Sequence, residues 1–267
     1  MNQLRDIRCF MLDMDGTFYL GHRLLPGALR FMQYLADTGR EAVFVTNNSS
    51  KSASYYADKL TKLGWNARPD DVLTSGQATA YYLRALKTDP VKVFLLGTPT
   101  LAAEMTALGV VLTDQNPDYV VLGFDMTLTY DKLVQACRFL RAGVPFIATH
   151  PDINCPTEDG YIPDCGAMTA LISASTGVMP KVIGKPNKEM IEALLLKKPA
   201  VPKSQLAMVG DRLYTDIATG NNAGIASILV LSGETQLADL QGSTVHPDLI
   251  FDNLGALQAA LATADKW

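Results

Sequence analysis

The sequence lacks the features that mark secreted, membrane and nucleic-acid-binding proteins. The N-terminus has no long apolar segment followed by small residues, so we expect no signal peptide. The longest apolar stretches, such as residues 225–231, are far shorter than a bilayer span. No block of lysine and arginine stands out, and the net charge is −4. We therefore expect a cytoplasmic protein with neither a membrane nor a nucleic acid as its partner.

The sequence is also poor in cysteine and histidine patterns. Its four cysteines do not form a C-x-x-C pair and no histidine cluster accompanies them, which argues against a zinc site and against a disulfide framework. We expect the cysteines to be reduced, small buried hydrophobic residues. They are Cys9, Cys137, Cys155 and Cys165.

What remains is an ordinary globular composition, with 48% hydrophobic and 19% charged residues in a chain of 267. Short apolar runs rich in β-branched and aromatic residues alternate with helix-like segments, which is typical of parallel β–α units. Residues 8–12 and 41–45 are such runs, and the helix between them is predicted to open at Pro26 and stop at Gly39.

Residues 91–180 repeat this alternation on their own, with a loop-rich stretch at 149–166, and the first pattern returns after Pro180. The sequence thus predicts an α/β fold with a doubly wound, Rossmann-like parallel-sheet core. Residues 1–80 and 181–267 are assigned to this core, and residues 81–180 to an inserted α/β domain.

Two acids follow the first predicted strand. Asp13 comes at its end, and Asp15, Gly16 and Thr17 form the turn behind it. Ligands of open α/β sheets bind outside the carboxyl ends of the strands. One carboxylate there can hold a metal and attack a phosphoryl group, while the other moves protons. Two acids in a solvated turn are the alternative, but the apolar run before them and the Gly-Thr behind them favour a site.

Three polar groups elsewhere suit a phosphate. Thr46 and Asn47 end the second predicted strand, where a hydroxyl and main-chain N–H groups suit phosphate oxygens. Taken alone, this motif favours helix capping by Asn48 or Ser49, and the two roles can coexist. Lys185 is framed by Gly184 and Pro186 and can offer a fixed positive charge to a transferring phosphoryl group. An exposed surface lysine is the alternative.

A second pair of acids follows a later strand. Asp211 comes at the end of the strand predicted over residues 205–209, and Asp216 lies five residues on. Mg²⁺ prefers a few carboxylate oxygens together with water and substrate phosphate. Asp211 fits a metal site shared with Asp13, while Asp216 either supports it or stabilises a helix N-terminus.

Taken in order, these motifs resemble the four motifs of the haloacid dehalogenase-like superfamily. The sets are Asp13-x-Asp15-Gly16-Thr17, Thr46-Asn47, Lys185 and Gly210-Asp211-x-x-x-x-Asp216. Asp15 at the second position of the first motif resembles the phosphatase branch, and the insert resembles a type-2 cap. The runs at 45–49 and 210–217 are similar to the NagD-like and p-nitrophenyl phosphatase group. The resemblance covers nearly the whole chain.

The resemblance implies a Mg²⁺-dependent phosphatase that acts on small phosphorylated metabolites. It implies that Asp13 is the nucleophile and a metal ligand. It also implies that Asp15 protonates the leaving alcohol, activates the hydrolytic water and gives its main-chain carbonyl to the metal. The remaining implied roles are phosphoryl binding for Thr46, Asn47 and Lys185, and metal binding for Asp211 with Asp216 in support. Relatives with this kind of cap are often dimers, so a homodimer is also expected.

Substrate selection is expected to involve the insert. Many relatives carry Asn in the segment that corresponds to residues 149–152, where this chain has His150. His150 and Asp152 lie in a loop after a predicted strand, from which they could reach a substrate. The alternative for His150 is a loop residue that a neighbouring carbonyl satisfies.

Two other functions remain open at this point. A phosphotransferase or mutase on the same core would pass the phosphoryl group to a second substrate rather than to water. A non-catalytic binding module would need no acid/base aspartate, so the complete set of acids and Lys185 argues against it.

Overall fold

A computed structural model of the chain describes residues 2–86, 89–157 and 159–266. Helices and strands alternate along most of it. The helices are α1 (Asn2–Asp6), α2 (Ala28–Asp37), α3 (Ala53–Lys62), α4 (Ser75–Leu86), α5 (Pro99–Ala107), α6 (Tyr130–Arg141), α7 (Cys165–Thr176), α8 (Glu189–Lys197), α9 (Ala218–Ala223) and α10 (Leu254–Ala264). Within the described residues, no helix has the length and apolar character needed to cross a membrane.

The strands are short and mostly buried. They are β1 (Cys9–Leu12), β2 (Tyr19–Leu20), β3 (Arg23–Leu24), β4 (Glu41–Thr46), β5 (Val72–Thr74), β6 (Lys92–Leu96), β7 (Val111–Leu112), β8 (Tyr119–Leu122), β9 (Phe146–Ala148), β10 (Asn154–Thr157), β11 (Gly160–Pro163), β12 (Lys181–Val182), β13 (Leu206–Gly210), β14 (Ala226–Val230) and β15 (Leu249–Phe251). Single turns of 3-10 helix occupy Pro69–Asp71, Lys203–Gln205 and Leu237–Leu240, and a π turn occupies Leu213–Ile217.

The chain divides into two compact units. The first comprises residues 1–46, 53–73 and 185–267, and the second comprises residues 47–52 and 74–184. The boundaries expected from the sequence lie after residue 80 and before residue 181, a few residues from these. The grouping of residues 47–52 with the second unit was not expected.

The first unit contains a six-stranded sheet in the order β15-β14-β13-β1-β4-β5. Strand β1 is parallel to β13 on one side and to β4 on the other, with Leu12 opposite Val209 and Phe44. All four residues of β1 are buried, which explains why this strand reads as an unbroken apolar run. Edge-to-face ring pairs, Phe10 with Phe31 and Phe18 with Phe44, contribute to the core around it.

The second unit contains a five-stranded parallel sheet in the order β12-β9-β8-β6-β7. Its core packs α6 and α7 against that sheet and includes Cys137 and Cys165, as expected for buried thiols. The stretch predicted as loop contains an antiparallel hairpin, β10 with β11, on which Cys155 is half-buried. Pro156 and Pro163 lie in these strands, which is permitted because a two-stranded hairpin has only edge strands.

Candidate active site

The carboxyl ends of three neighbouring strands in the first unit carry predicted site residues. Asp13 follows β1, Asp211 follows β13 and Thr46 ends β4. The main-chain N–H of Asp13 donates to the carbonyl of Val209 at 2.9 Å, so the parallel pairing continues up to the acid. After β1 the chain extends the sheet on one side through β4 and β5, and later on the other side through β13, β14 and β15. The carboxyl end of β1 is therefore the topological switch point at which such sheets bind ligands.

Three carboxylates converge at this edge. One oxygen from each of Asp13, Asp211 and Asp216 lies within 4.8 Å of the others. Asp216 reaches the cluster from the π turn that follows β13, and its Oδ2 accepts the main-chain N–H of Arg212 at 3.2 Å. The sequence predicted these acids as metal ligands, and the fold places them together.

Lys185 is buried between two of these acids. Its Nζ lies 2.5 Å from Asp13 Oδ1 and 2.7 Å from Asp216 Oδ1, and the residue is 3% exposed. Burial alone would lower the pKa of this lysine, but the carboxylates of Asp13 and Asp216 outweigh that effect and raise it. Lys185 is therefore a fixed cation rather than an exposed surface lysine.

Asp211 and Asp216 lie in an environment that disfavours their charge. Burial raises the pKa of Asp211, and the neighbouring charge of Asp13 raises it further. Burial also raises the pKa of Asp216, against which the charge of Lys185 acts. When all four groups are ionised, three carboxylates and one ammonium leave a net charge of −2. A divalent cation bound by carboxylate oxygens would balance that charge, so the donor set fits such an ion.

Asp211 is oriented by Thr17, which belongs to the first motif, and by Glu234, which the sequence reasoning did not single out. Its Oδ2 accepts the main-chain N–H of Glu234 at 2.7 Å, and its Oδ1 accepts the hydroxyl of Thr17 at 3.2 Å. Glu234 lies just beyond β14, the next strand of the sheet. The available signal was its place after a strand, since Ser232 and Gly233 there follow an apolar run as Asp13 and Asp211 do.

Two glycines leave room for the Asp211 carboxylate. A Cβ on Gly16 would lie 2.3 Å from Asp211 Oδ2, and a Cβ on Gly233 would lie 2.0 Å from the same atom. Gly16 also has a φ of +89°, which favours glycine by itself. The first of these glycines belongs to the predicted motif, but only packing explains the second.

Asp15 occupies the turn after Asp13 and is exposed. The main-chain N–H of Gly16 donates to the carbonyl of Tyr19 at 2.8 Å and closes the turn. Desolvation by the surrounding protein raises the pKa of Asp15, and Asp13 raises it further, while Lys59 lowers it. A carboxyl group whose pKa lies above its usual range suits proton transfer better than an ordinary aspartate does. Lys59 was not expected from the sequence, and its Nζ lies 3.9 Å from the centre of the Tyr19 ring.

The other predicted residues lie in the second unit. The amide Nδ2 of Asn47 is 3.2 Å from both carboxylate oxygens of Asp152. His150 is fully buried, with Nδ1 2.9 Å from Thr149 Oγ1 and Nε2 2.9 Å from Asp164 Oδ1. The ring of His150 is thus hydrogen-bonded to two side chains, and not to a main-chain carbonyl as the alternative interpretation of the sequence expected. The roles of His150 and Asp152 toward a substrate stay predictions.

His150, Asp152 and Asp164 also form a group with metal-ligand spacing, since one atom from each lies within 4.8 Å of the others. Each ring nitrogen of His150 already has a hydrogen-bond partner, however, and a metal ligand needs an available lone pair. The observed contacts therefore describe a hydrogen-bonded network rather than a metal site.

Comparisons with known proteins agree with this arrangement. A family model described as haloacid dehalogenase-like hydrolase matches residues 10–111, and a second, HAD-hydrolase-like model matches residues 182–257. The acid sugar phosphatase of Staphylococcus aureus is 38% identical over 97% of this chain and 99% of its own length.

Two solved structures are similar over nearly the whole chain. The 4-nitrophenylphosphatase of Thermotoga maritima superposes with a TM-score of 0.91 at 50% identity, covering 97% of this chain and 99% of its own. The glycerol phosphate phosphatase of Mycobacterium tuberculosis, solved with calcium and with magnesium, gives a TM-score of 0.87 at 33% identity in both forms. The calcium form covers 96% of this chain and 76% of its own.

Proposed function

Because the chain belongs to the haloacid dehalogenase-like hydrolase family and is a phosphatase of that family, we propose that it hydrolyses small phosphate monoesters through a covalent phosphoenzyme on Asp13. The observation that carries the proposal is the cluster of Asp13, Asp211 and Asp216 around the buried ammonium of Lys185. A carboxylate is an adequate nucleophile toward phosphorus when cations neutralise the phosphoryl oxygens.

In the first step, a carboxylate oxygen of Asp13 attacks the phosphorus atom and the bond from phosphorus to the ester oxygen breaks. Asp15 gives its proton to that leaving oxygen, so an alcohol departs. The raised pKa of Asp15 favours the protonated form that this step needs. Lys185 and the hydroxyl of Thr46 bind phosphoryl oxygens and stabilise the charge that develops on them.

In the second step, Asp15 takes a proton from a water molecule, whose oxygen attacks the phosphorus atom. The bond between phosphorus and Asp13 breaks, inorganic phosphate leaves, and both aspartates return to their starting states. Positioning and electrostatic stabilisation supply most of the acceleration in phosphoryl transfer. The assignment of Asn47 to the phosphoryl group stays a prediction from the sequence.

We propose Mg²⁺ as the metal. Asp13 and Asp211 would hold it through carboxylate oxygens and Asp15 through its main-chain carbonyl, with Asp216 in support. When bound, Mg²⁺ would neutralise phosphoryl and carboxylate oxygens together, and it commonly keeps several water ligands.

For the substrate, we propose small phosphorylated metabolites: sugar phosphates, glycerol phosphates and nucleoside monophosphates. The named activities of the relatives support this class, since two of them act on sugar or glycerol phosphates. The second unit corresponds to the insert that resembles a type-2 cap, and we propose that it selects among these substrates.

The test is the release of inorganic phosphate from p-nitrophenyl phosphate with Mg²⁺ and with excess EDTA. We expect EDTA to abolish turnover and Asp13→Asn to lower it by about a thousandfold or more, because the nucleophile is lost. Asp37→Asn makes the same chemical change at an exposed position of α2 and is expected to leave turnover unchanged.

Full activity of Asp13→Asn would refute the phosphoenzyme, and full activity in EDTA would refute the metal. Product analysis on sugar phosphates separates hydrolysis from transfer, because a mutase or phosphotransferase yields a second phosphate ester instead of free phosphate.

A further inference from the structure

A buried hydrogen-bonded network crosses the second unit. It joins Ser49, Thr149, His150 and Asp164, each at most 4% exposed. Ser49 Oγ lies 3.0 Å from Thr149 Oγ1, which lies 2.9 Å from His150 Nδ1, and His150 Nε2 lies 2.9 Å from Asp164 Oδ1. Residues 115 positions apart in sequence are thus linked by a continuous series of polar contacts.

For a neutral imidazole, the acceptor at the Asp164 end sets the direction of the network, because Nε2 must then carry the proton and Nδ1 must accept. The main-chain N–H of Phe124 can only donate, and it donates to Ser49 Oγ at 2.9 Å. An ionised Asp164 can only accept, and its Oδ1 also accepts the N–H of Cys165 at 2.6 Å. A neutral imidazole with its proton on Nε2 satisfies the contacts of this series: Ser49 donates to Thr149, Thr149 donates to Nδ1, and Nε2 donates to Asp164.

A second set of hydrogen bonds links segment 47–52 to helix α7, beside the first link formed by the network of Ser49, Thr149, His150 and Asp164. The amide of Asn47 donates to the carboxylate of Asp152, and the carbonyl of Asp152 accepts the N–H of Gly166 at 2.8 Å. The carbonyl of Ile153 accepts the N–H of Asp164 at 2.9 Å, so the same first turn of α7 fixes both links. Gly184 accommodates the amide, since a Cβ there would lie 2.6 Å from Asn47 Oδ1.

Both links end on the segment 47–52, which explains why this segment groups with the second unit. Further contacts hold it there: Thr98 Oγ1 donates to the carbonyl of Ser50 at 3.1 Å, and Ser75 Oγ donates to the carbonyl of Asn47. In a buried setting, each of these bonds is costly to leave unmade.

We propose that His150 is a positioning residue that fixes segment 47–52 through Thr149 and Ser49, and that the side chain of Asn47 serves to hold Asp152 rather than a phosphoryl oxygen. This inference rests on the proposed function, in which Thr46 binds a phosphoryl oxygen, because segment 47–52 follows Thr46 directly in the chain. The amide cannot turn its carbonyl toward Asp152 without placing two acceptors together, so its orientation follows from that carboxylate.

Two substitutions of His150 separate its two branches, the hydrogen bond to Thr149 and the hydrogen bond to Asp164. Asn can place its carbonyl oxygen near the position of Nδ1 and keep the bond from Thr149, whereas Gln can place its amide near Nε2 and keep the bond to Asp164. If the branch through Thr149 positions segment 47–52, His150→Gln lowers kcat/KM by about tenfold and His150→Asn by less than about threefold. The loss is expected mainly in kcat, because Thr46, which precedes the segment in the chain, is proposed to stabilise the transition state.

Ser173→Ala is the matched control, since it removes a partly buried hydroxyl of α7 that donates to the carbonyl of Val178 at 2.8 Å. It is expected to lower the melting temperature without lowering kcat/KM. Equal activity losses in His150→Gln and His150→Asn, or losses that follow the melting temperature as in the control, would show a purely structural role and overturn the proposal.

Nitrogen-15 NMR of the histidine rings tests the network without any activity. The chain has three histidines, so the signals that His150→Asn removes identify His150. We expect a protonated Nε2 and an unprotonated Nδ1, and we expect the Asn47 side-chain amide signals to shift in His150→Gln but not in Ser173→Ala. A proton on Nδ1, or unshifted amide signals, would contradict the proposal even in a protein that hydrolyses nothing.

Discussion

Gly233→Ala tests whether the geometry of Asp211 matters for the reaction. A methyl group at this position would lie 2.0 Å from Asp211 Oδ2 and 2.5 Å from its Cγ. Ordinary van der Waals contact begins near 3.4 Å, so the carboxylate or the loop after β14 must move by about 1.4 Å. The hydrogen bond of 2.7 Å from the N–H of Glu234 to Oδ2 would be disturbed by the same movement.

The expected loss of kcat/KM is about a hundredfold, because a misplacement of about 1 Å in a catalytic site costs about that much. Half-saturation with Mg²⁺ should need a higher concentration, since Asp211 is proposed as a ligand. The free energy of unfolding should fall by about 1–3 kcal/mol, the usual cost of overpacking. Steady-state hydrolysis of p-nitrophenyl phosphate across a Mg²⁺ series, together with thermal unfolding, measures all three quantities.

Gly220→Ala is the control, because its Cβ would lie 2.8 Å from the Cβ of Ser227 near the start of β14, at the opposite end of that strand. It is expected to lose stability and keep both kcat/KM and the Mg²⁺ response. Wild-type kcat/KM and Mg²⁺ response in a folded Gly233→Ala protein would refute the assignment of Asp211 to the site.

Further predictions concern charges in the first unit. Lys185→Met should lower kcat/KM by about 10²–10³-fold in the p-nitrophenyl phosphate assay, because Asp13 and Asp216 lose the cation between them; activity near wild type would exclude that role. Asp265→Asn should lower the free energy of unfolding at pH 7 by about 2 kcal/mol in urea titrations, because the buried Arg40 loses charge-assisted bonds. The hydrogen bonds of Arg40 lower the pKa of Asp265, so its stabilisation is complete above the usual aspartate pKa and disappears as pH falls through the lowered one. The difference between wild type and variant should therefore shrink toward pH 2, and a constant difference would contradict the argument.

The sequence identified those features that depend on position along a strand. Asp13 and Asp211 could be placed together because each ends an apolar run, and parallel strands bring their carboxyl ends to one edge. The same reasoning placed most helices and strands, since their periodic patterns agree with the local structure. It did not find the hairpin formed by β10 and β11, where prolines and short polar strands hide the alternation.

Features that depend on contacts between residues distant in the sequence could not be predicted from it. The sequence around Ser49 does not indicate that its hydroxyl forms a hydrogen bond with Thr149. The sequence around His150 does not indicate that Asp164 forms a hydrogen bond with its ring. The grouping of residues 47–52 with the second unit follows from such contacts, so a boundary drawn from the alternation of strands and helices could not contain it.

The glycines around the acids show the limit of sequence reasoning most clearly. A Cβ on Gly16 would lie 2.3 Å, and one on Gly233 2.0 Å, from Asp211 Oδ2, and a Cβ on Gly210 would lie 2.2 Å from Asp216 Cγ. Only the first has a left-handed φ, so turn chemistry accounts for that glycine alone. The other two are explained by the space that the carboxylates occupy. These glycines therefore indicate that the carboxylates of Asp211 and Asp216 are packed closely against the main chain. This packing limits how far each carboxylate can move when a cation binds.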